Sequence, residues 1–226
     1  LRTFAEAGVA EPEMLRGLAL RSLEAHDSES FLTMDRQART AAAATGAPLD
    51  DGPVVAALVK SSNVTLARWL HEVGIQEVED LQLSWRVAHA LLTARHAVLG
   101  RRWAERTLQR SAGYDLQPSI VLTLAKDGAA DVAQAVVRAR KATDTAQDLP
   151  HLVADVVATL ALGRVDDAVR QLLALSRRPG LDARQLRTLV DLARENGLCT
   201  VVVELAPRLV ADADLYNLRS GAEKGA

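Results

Sequence analysis

The sequence contains little cysteine, little lysine and few aromatic residues. Cys199 is the only cysteine among 226 residues, which excludes an intrachain disulfide and a metal site built from several cysteines. No apolar run approaches the roughly 18 residues that cross a membrane, and no signal peptide is recognisable. A lone cysteine without a signal peptide is typical of a reducing compartment. We therefore expect a cytoplasmic protein without a membrane partner.

A strong net charge is also missing. The 27 basic and 29 acidic residues leave a formal charge of −2, so there is no overall attraction to nucleic acid or to anionic membranes. Hydrophobic residues make up 49% of the chain and charged residues 25%, which is typical of a folded globular protein. Aromatic residues make up only 3%, whereas alanine and leucine, both strong helix formers, are abundant. The composition predicts an all-α protein.

The clearest pattern lies between Leu149 and Leu209, where apolar residues recur at the spacing of amphipathic helices. In the first helix the apolar face consists of Leu149, Leu152, Val153, Val156, Val157 and Leu160. The same spacing returns over 165–173, 186–193 and 198–209, with interruptions at Gly163, at 177–180 and at Gly197. The pattern predicts four helices arranged as two antiparallel hairpins.

Glycines mark an internal repeat. Gly128, Gly163 and Gly197 each fall between two predicted helices, and they follow one another at nearly equal intervals. We interpret Gly100, which precedes Gly128 at a shorter interval, as a degenerate earlier member. A period of about 34 residues with two helices per unit is typical of an α-solenoid, in which each hairpin buries its apolar face against its neighbours.

The segment 162–169, Leu-Gly-Arg-Val-Asp-Asp-Ala-Val, resembles the turn between the two helices of tetratricopeptide repeats, and residues 99–104 echo it. The resemblance covers about 100 residues. It implies a fold of antiparallel helix hairpins stacked as a tetratricopeptide-like α-solenoid. It also implies that a protein or peptide partner binds on a concave surface.

The chain divides into four predicted regions. Residues 1–48 form an N-terminal helical hairpin or cap, in which Ser28 caps the second helix. The region 49–115 starts in a linker rich in proline, glycine and aspartate and includes a long helix from about Val78 that Gly100 interrupts. Residues 116–213 carry the solenoid repeats, and 214–226 form a C-terminal tail.

Residues 53–74 resemble the DNA-binding helix-turn-helix. The resemblance is carried by an alanine near the start, by Ser62 as a helix cap, and by Leu66 and Leu70 as core positions. It implies a recognition helix in the major groove and hence a DNA-binding transcriptional regulator, with the repeats as sensor or oligomerisation domain. The side chains that would contact DNA are Lys60, Asn63, Thr65, Arg68 and His71.

The same residues also fit a plain helix hairpin with a serine-rich turn. Lys60 stands where the motif usually has glycine, and Ser61 stands where it usually has an apolar residue. The flanks are acidic, with Asp50 and Asp51 before the motif and 77–80 after it. Because affinity for DNA depends largely on phosphate neutralisation, acidic flanks disfavour binding.

A second candidate surface lies between Arg86 and Arg110, where six arginines stand against one acidic residue. On a continuous helix, Arg95, Arg102 and Arg106 share a broad face with Arg110. This face predicts contact with an acidic partner or a nucleic acid. The alternative is a solvated arginine face, with Trp85 and Trp103 in the core.

Signatures of catalysis are missing from the sequence. The five histidines lack cysteine partners and metal-binding spacing, and no glycine-rich phosphate loop or nucleophile elbow occurs. We therefore expect neither an enzyme nor a bound cofactor or metal. The leading hypothesis is a non-catalytic scaffold that binds a protein or peptide, and homo-oligomerisation stays open.

Overall fold

The computed structural model describes residues 11–61, 63–110, 116–143 and 148–209. These residues form twelve helices and no strand, which confirms the all-α prediction for this part of the chain. The chain separates into two compact units, residues 1–112 with 127–129 and residues 113–126 with 130–226. We call them the N-terminal and the C-terminal unit. The predicted tail 214–226 lies outside the described residues.

The N-terminal unit contains six helices. These are α1 to α6, which span Pro12–Glu24, Ser28–Thr45, Gly52–Ser61, Asn63–Val73, Leu81–Thr93 and Ala97–Arg110. The C-terminal unit contains α7 to α12. The first five span Pro118–Lys126, Ala130–Thr143, Leu149–Ala161, Val165–Ser176 and Ala183–Glu195, and α12 covers 199–209. The predicted linker at the start of region 49–115 lies inside the N-terminal unit.

A short connection with one left-handed residue joins the two helices of five pairs. The left-handed residues are His26, Arg95, Gly128, Gly163 and Gly197, with φ between 60° and 105°. In four pairs the next residue donates its backbone N–H to the carbonyl five residues back, as from His96 to Leu91 and from Arg164 to Thr159. This hydrogen bond satisfies a carbonyl that the helix end leaves open, and it turns the chain back on itself.

Two of the sequence predictions about α5 and α6 are wrong. The predicted long helix is two helices, because the chain turns at residues 94–96 with Arg95 at φ 63°. Gly100 lies within α6. Arg95 precedes Gly128 at nearly the interval that separates the later glycines, so the left-handed residue that corresponds to them is Arg95 and not Gly100. Gly100 instead allows α6 to approach α5 closely. A Cβ there would lie 2.8 Å from Leu92 Cγ and 3.0 Å from the Leu92 backbone nitrogen.

A buried charge network holds α1, α2 and α4 together. Asp35 is 0% exposed and its Oδ2 accepts hydrogen bonds from Trp69 Nε1 at 2.7 Å and from Arg39 Nε at 2.9 Å. Arg16 Nε lies 3.6 Å from Asp35 Oδ1, and both arginines also bind Asp51. A buried carboxylate needs such partners, because an unpaired charge in the interior costs several kcal/mol.

The N-cap of α2 differs from the prediction. Asp27, and not Ser28, precedes the helix, and its side chain accepts a hydrogen bond from the Ser30 backbone N–H at 3.0 Å. Ser28 is the first helical residue, and its hydroxyl accepts a hydrogen bond from Thr65 of α4 at 2.9 Å.

The C-terminal unit has an apolar core. Helix α9 packs against α7, α8 and α10, and the face predicted from Leu149 to Leu160 points inward. Leu172, Leu189 and Val201 from α10, α11 and α12 are fully buried in the same cluster. The apolar faces of α9 to α12 therefore contribute to one core.

Alanine at Gly100 should destabilise the protein, whereas alanine at Gly17 should stabilise it. Both glycines are helical, but a Cβ at Gly17 meets nothing within 4 Å. Gly17→Ala should add about 0.5–1 kcal/mol through lower backbone entropy. Gly100→Ala should cost about 1–3 kcal/mol, because the Cβ forces α5 and α6 apart. Urea denaturation of both variants measures the difference, and equal effects would contradict the close approach at Gly100.

The left-handed residues give a second pair of variants. Arg95→Gly should stabilise the chain by about 0.5–1 kcal/mol, because glycine adopts a positive φ without the steric cost of a Cβ. Gly163→Ala should destabilise it by a similar amount for the same reason, since φ at Gly163 is 74°. Thermal denaturation should separate the two melting temperatures on either side of the wild-type value. If both variants shifted the melting temperature in the same direction, Arg95 and Gly163 would not have the same conformational role in their connections.

Candidate functional site

The connection between α3 and α4 is shorter than the turn of a helix-turn-helix. Lys60 and Ser61 belong to the last turn of α3, and α4 begins at Asn63. A helix-turn-helix instead has a turn of about three or four residues. Ser62, the predicted cap, lies outside the described residues.

The predicted DNA contacts on α3 and α4 do not form one exposed face. Lys60 and His71 are exposed and Asn63 is half-buried. Thr65 is 6% exposed and its hydroxyl donates to Ser28, so it faces the protein interior. A recognition helix would need these side chains on one solvent-facing surface.

Arg68 belongs to a cluster of two arginines and two glutamates. Its Nε donates to Glu72 Oε1 at 3.1 Å, and its Nη1 donates to Glu29. Arg36 binds the same Glu72 carboxylate through Nε at 3.1 Å and Nη2 at 2.9 Å. The hydrogen bonds from Arg36 are the main reason why the pKa of Glu72 lies below its usual value. The cluster is neutral, so Arg68 would have to leave two carboxylates to reach a phosphate.

A cavity of about 380 Å³ lies beside this cluster. Asp35 and Trp69 form its inner wall, and Arg36, Arg39 and Glu72 stand around it. The Arg39 guanidinium lies 5.1 Å from the centroid of the Trp69 ring, where it gains a cation–π interaction. Every charged side chain of this cavity has an oppositely charged partner. These interactions hold the helices together and leave no charge free for a ligand.

The arginines predicted around α6 are split by the turn at Arg95. Arg95 lies in the connection between α5 and α6, while Arg102 and Arg106 are exposed on α6. Arg106 Nη1 donates to the Gln76 carbonyl at 3.4 Å, and Arg110 Nη1 donates to the Val78 carbonyl at 2.7 Å. Part of this basic segment therefore also fixes the loop before α5, although its side chains are exposed.

The two tryptophans of this region lie in the core, as in the alternative interpretation. Trp85 is 0% exposed and Trp103 is 3% exposed. Trp103 Nε1 donates to the Ser84 hydroxyl at 2.9 Å. Neither ring is available to stack on a base or to bind a cation from solvent.

The C-terminal unit contains a groove of about 440 Å³ that no sequence pattern singled out. Its walls are the first turns of α7, α9 and α11, which begin three successive hairpins. The apolar lining residues are Pro118, Leu122, Leu149, Pro150 and Val153. The polar lining residues are Ser119 of α7 and, from α11 and its N-cap, Asp182, Arg184, Gln185 and Thr188.

Local sequence explains how these turns are built. Pro118 and Pro150 stand in the first turns of their helices, where a missing N–H removes no hydrogen bond. Asp182 caps α11 by accepting the Gln185 N–H at 2.7 Å, and Gln185 Oε1 accepts the Asp182 N–H at 3.0 Å. This capping box fixes the polar edge of the groove. The starts of α7, α9 and α11 recur at intervals close to those of the glycines, so this spacing in the sequence could have indicated that they lie together.

Comparison with models of protein families, with curated proteins and with solved structures found no match. The described residues hold no group of three or more histidine, cysteine, aspartate or glutamate side chains placed to bind a metal ion. No helix in the described ranges combines the length and the apolar character that a membrane crossing requires. The groove of the C-terminal unit is thus characterised by its geometry alone.

The Glu72 cluster predicts a loss of stability in acid. The pKa of Glu72 is lowered in the folded state, so its ionised form stabilises the fold above the unfolded value of 4.5. This contribution is lost as the pH falls through the folded-state pKa. Urea denaturation between pH 7 and pH 3 should show a flatter pH dependence for Glu72→Gln than for the wild type.

Arg36→Gln serves as the companion variant, because Arg36 is the main cause of the shift. It should flatten the same part of the curve, and the double variant should change little beyond either single one. A Glu72→Gln curve parallel to that of the wild type would contradict the proposed contribution.

Proposed function

We propose that this chain is a non-catalytic helical-repeat protein that binds an extended segment of a protein partner in the groove of the C-terminal unit. The observation that carries the proposal is the position of the groove across the first turns of α7, α9 and α11. Each of these helices begins a hairpin, so the groove runs across three repeats. Such a surface suits a linear ligand that contacts one repeat after another.

The recurring connection supports the repeat interpretation. The left-handed positions Arg95, Gly128, Gly163 and Gly197 follow one another at nearly equal intervals. A period of about 34 residues with two helices per unit is typical of tetratricopeptide-like α-solenoids. The resemblance of segment 162–169 to the tetratricopeptide turn points to the same architecture and to protein binding.

The lining of the groove defines the chemistry of the partner. Leu122, Leu149 and Val153 are half-buried, so each still offers apolar surface that a side chain of the partner would cover. At the α11 wall the Gln185 amide nitrogen can donate a hydrogen bond to the partner. The Thr188 hydroxyl, which donates to the Arg184 carbonyl, can still accept one. An extended peptide combines apolar side chains with free backbone N–H and C=O groups, and it fits both walls. A volume near 440 Å³ lies within the range of ligand pockets, roughly 300–1,000 Å³.

The alternative, a DNA-binding regulator, would use Lys60, Asn63 and Arg68. Binding would require Arg68 to exchange Glu29 and Glu72 for phosphates, with both carboxylates left beside the DNA. Thr65 would contribute no contact from its buried position. The ion pairs of Arg68 and the burial of Thr65 therefore disfavour DNA binding and favour the peptide-binding proposal.

Filling the groove should abolish peptide binding. Peptides selected from a random display library against the wild-type protein provide the probes, and fluorescence anisotropy gives their affinities. Ser119→Trp and Thr188→Trp place bulk in the groove from two exposed positions. Each should weaken binding at least about tenfold, which corresponds to about 1.4 kcal/mol, with an unchanged melting temperature.

The matched control is Val203→Trp, because Val203 is 74% exposed on α12 and lies outside the groove. The control should bind as the wild type does. Selected peptides that bind all three variants equally would place the site elsewhere. A duplex titration at about 50 and 200 mM salt tests the alternative, since DNA contacts to several phosphates give a steep salt dependence.

A further inference from the structure

A second cavity of about 290 Å³ opens between α8, α9 and α10 in the C-terminal unit. Its inner wall is polar and buried. Gln134, Asp155 and Thr159 are 7%, 5% and 1% exposed, respectively. On α9, Asp155 and Thr159 are rotated by about 120° from Leu149 and Val153 around the helix axis. The cavity and the groove share no lining residue, so they are separate. Buried polar residues in an otherwise apolar helix pair require a specific explanation.

Two arginines meet at one amide oxygen in this cavity. Gln134 Nε2 donates to the Thr159 hydroxyl at 3.1 Å, and this hydroxyl donates to the Asp155 carbonyl at 2.8 Å. The chain of hydrogen bonds fixes Gln134 Oε1, which accepts from Arg138 Nη2 at 2.8 Å and from Arg164 Nη2. The two donating nitrogens therefore lie within two hydrogen-bond lengths, roughly 6 Å, of each other.

Neither of these guanidinium groups has a carboxylate partner among the described residues. Asp167 is paired with Arg170 at the edge of the cavity. Asp155 Oδ2 accepts a hydrogen bond from Gln171 Nε2 at 3.4 Å. In contrast, Arg36 and Arg68 of the N-terminal unit each bind a glutamate. Two adjacent positive charges that share a neutral acceptor favour an anion, because it would bind both and cancel their repulsion.

Gln171 contributes an unsatisfied hydrogen-bond acceptor to the same cavity. Its Oε1 is buried and has no hydrogen-bond partner among the described residues. The hydrogen bond from its Nε2 to Asp155 sets the orientation of the amide, so this oxygen is an acceptor that needs a donor. A buried acceptor without a partner is unfavourable unless a ligand or a water supplies an N–H or O–H group.

We propose that this cavity binds a small molecule that carries an anionic group and a hydrogen-bond donor. The anionic group, a carboxylate or a phosphate, binds Arg138 and Arg164. The donor, an ammonium or a hydroxyl group, binds Gln171 Oε1 beside the Asp155 carboxylate. Both arginines are exposed at the mouth of the cavity, where the anionic group reaches them from solvent. The donor reaches Gln171 Oε1 after a local side-chain movement, because this oxygen is buried. The site is independent of the proposed peptide groove.

Four probes distinguish binding of the anionic group from binding of the hydrogen-bond donor. Acetate and inorganic phosphate supply the anion alone, whereas β-alanine and O-phosphoethanolamine supply the same anions with an ammonium group. Titration of the full chain, followed by NMR of the arginine Nε–H and glutamine side-chain resonances, measures each affinity. We expect a Kd of about 1 mM or below for the better ammonium probe, about tenfold tighter than for its anion alone. The resonances of Arg138, Arg164, Gln134 and Gln171 should shift.

Substitutions test which side chains bind the anionic group of the ligand and which bind its hydrogen-bond donor. The double variant Arg138→Gln/Arg164→Gln should lose binding of all four probes at least about tenfold. Gln171→Leu should keep the anion affinity and lose the advantage of the ammonium probes. Arg187→Gln removes one positive charge, as each of the two cavity substitutions does, from the exposed face of α11 outside the cavity. It should bind as the wild type does. Circular dichroism confirms that each variant is folded.

Two results would overturn the proposal. The first is that no probe shifts these resonances up to about 10 mM. The second is that Arg187→Gln weakens binding as much as the double variant does, because the effect would then reflect overall charge. A preference for β-alanine or for O-phosphoethanolamine decides whether the natural anionic group is a carboxylate or a phosphate.

Discussion

The left-handed residue between the two helices of a pair is the constraint on which the rest of this structure depends. Its positive φ brings the following N–H back to a carbonyl five residues earlier, so each helix ends with a satisfied backbone and the next helix runs back along it. The same connection occurs in the N-terminal unit at His26 and in the C-terminal unit at Gly163 and Gly197.

The two units stabilise their hairpins in different ways. The C-terminal unit relies on a continuous apolar cluster, where leucine and valine side chains from four helices are removed from water. The N-terminal unit adds a buried carboxylate, Asp35, surrounded by Arg16, Arg39 and Trp69. The hydrogen bonds to this carboxylate depend on the distance and the angle of each donor. The relative positions of α1, α2 and α4 are therefore defined by directional contacts.

The distribution of paired charges separates structural from candidate binding regions. Around α4, arginines and carboxylates neutralise each other, so this surface is well suited to hold helices together. In the C-terminal unit, Arg138 and Arg164 share only an amide oxygen, and the groove across α7, α9 and α11 leaves apolar side chains half-buried. Both proposals of binding follow from these two features of the C-terminal unit.

The sequence by itself determined the all-helical class, the helix pairs of the C-terminal half and their inner faces, because apolar periodicity and glycine at helix ends are local signals. It misplaced the turn before α6, since a positive φ at an arginine leaves no mark in the sequence, and Gly100 is required by packing against Leu92. The groove and the Gln134 cavity were decided only by the tertiary structure. Each combines side chains from three helices, and only folding brings residues such as Arg138 and Arg164 to the same oxygen.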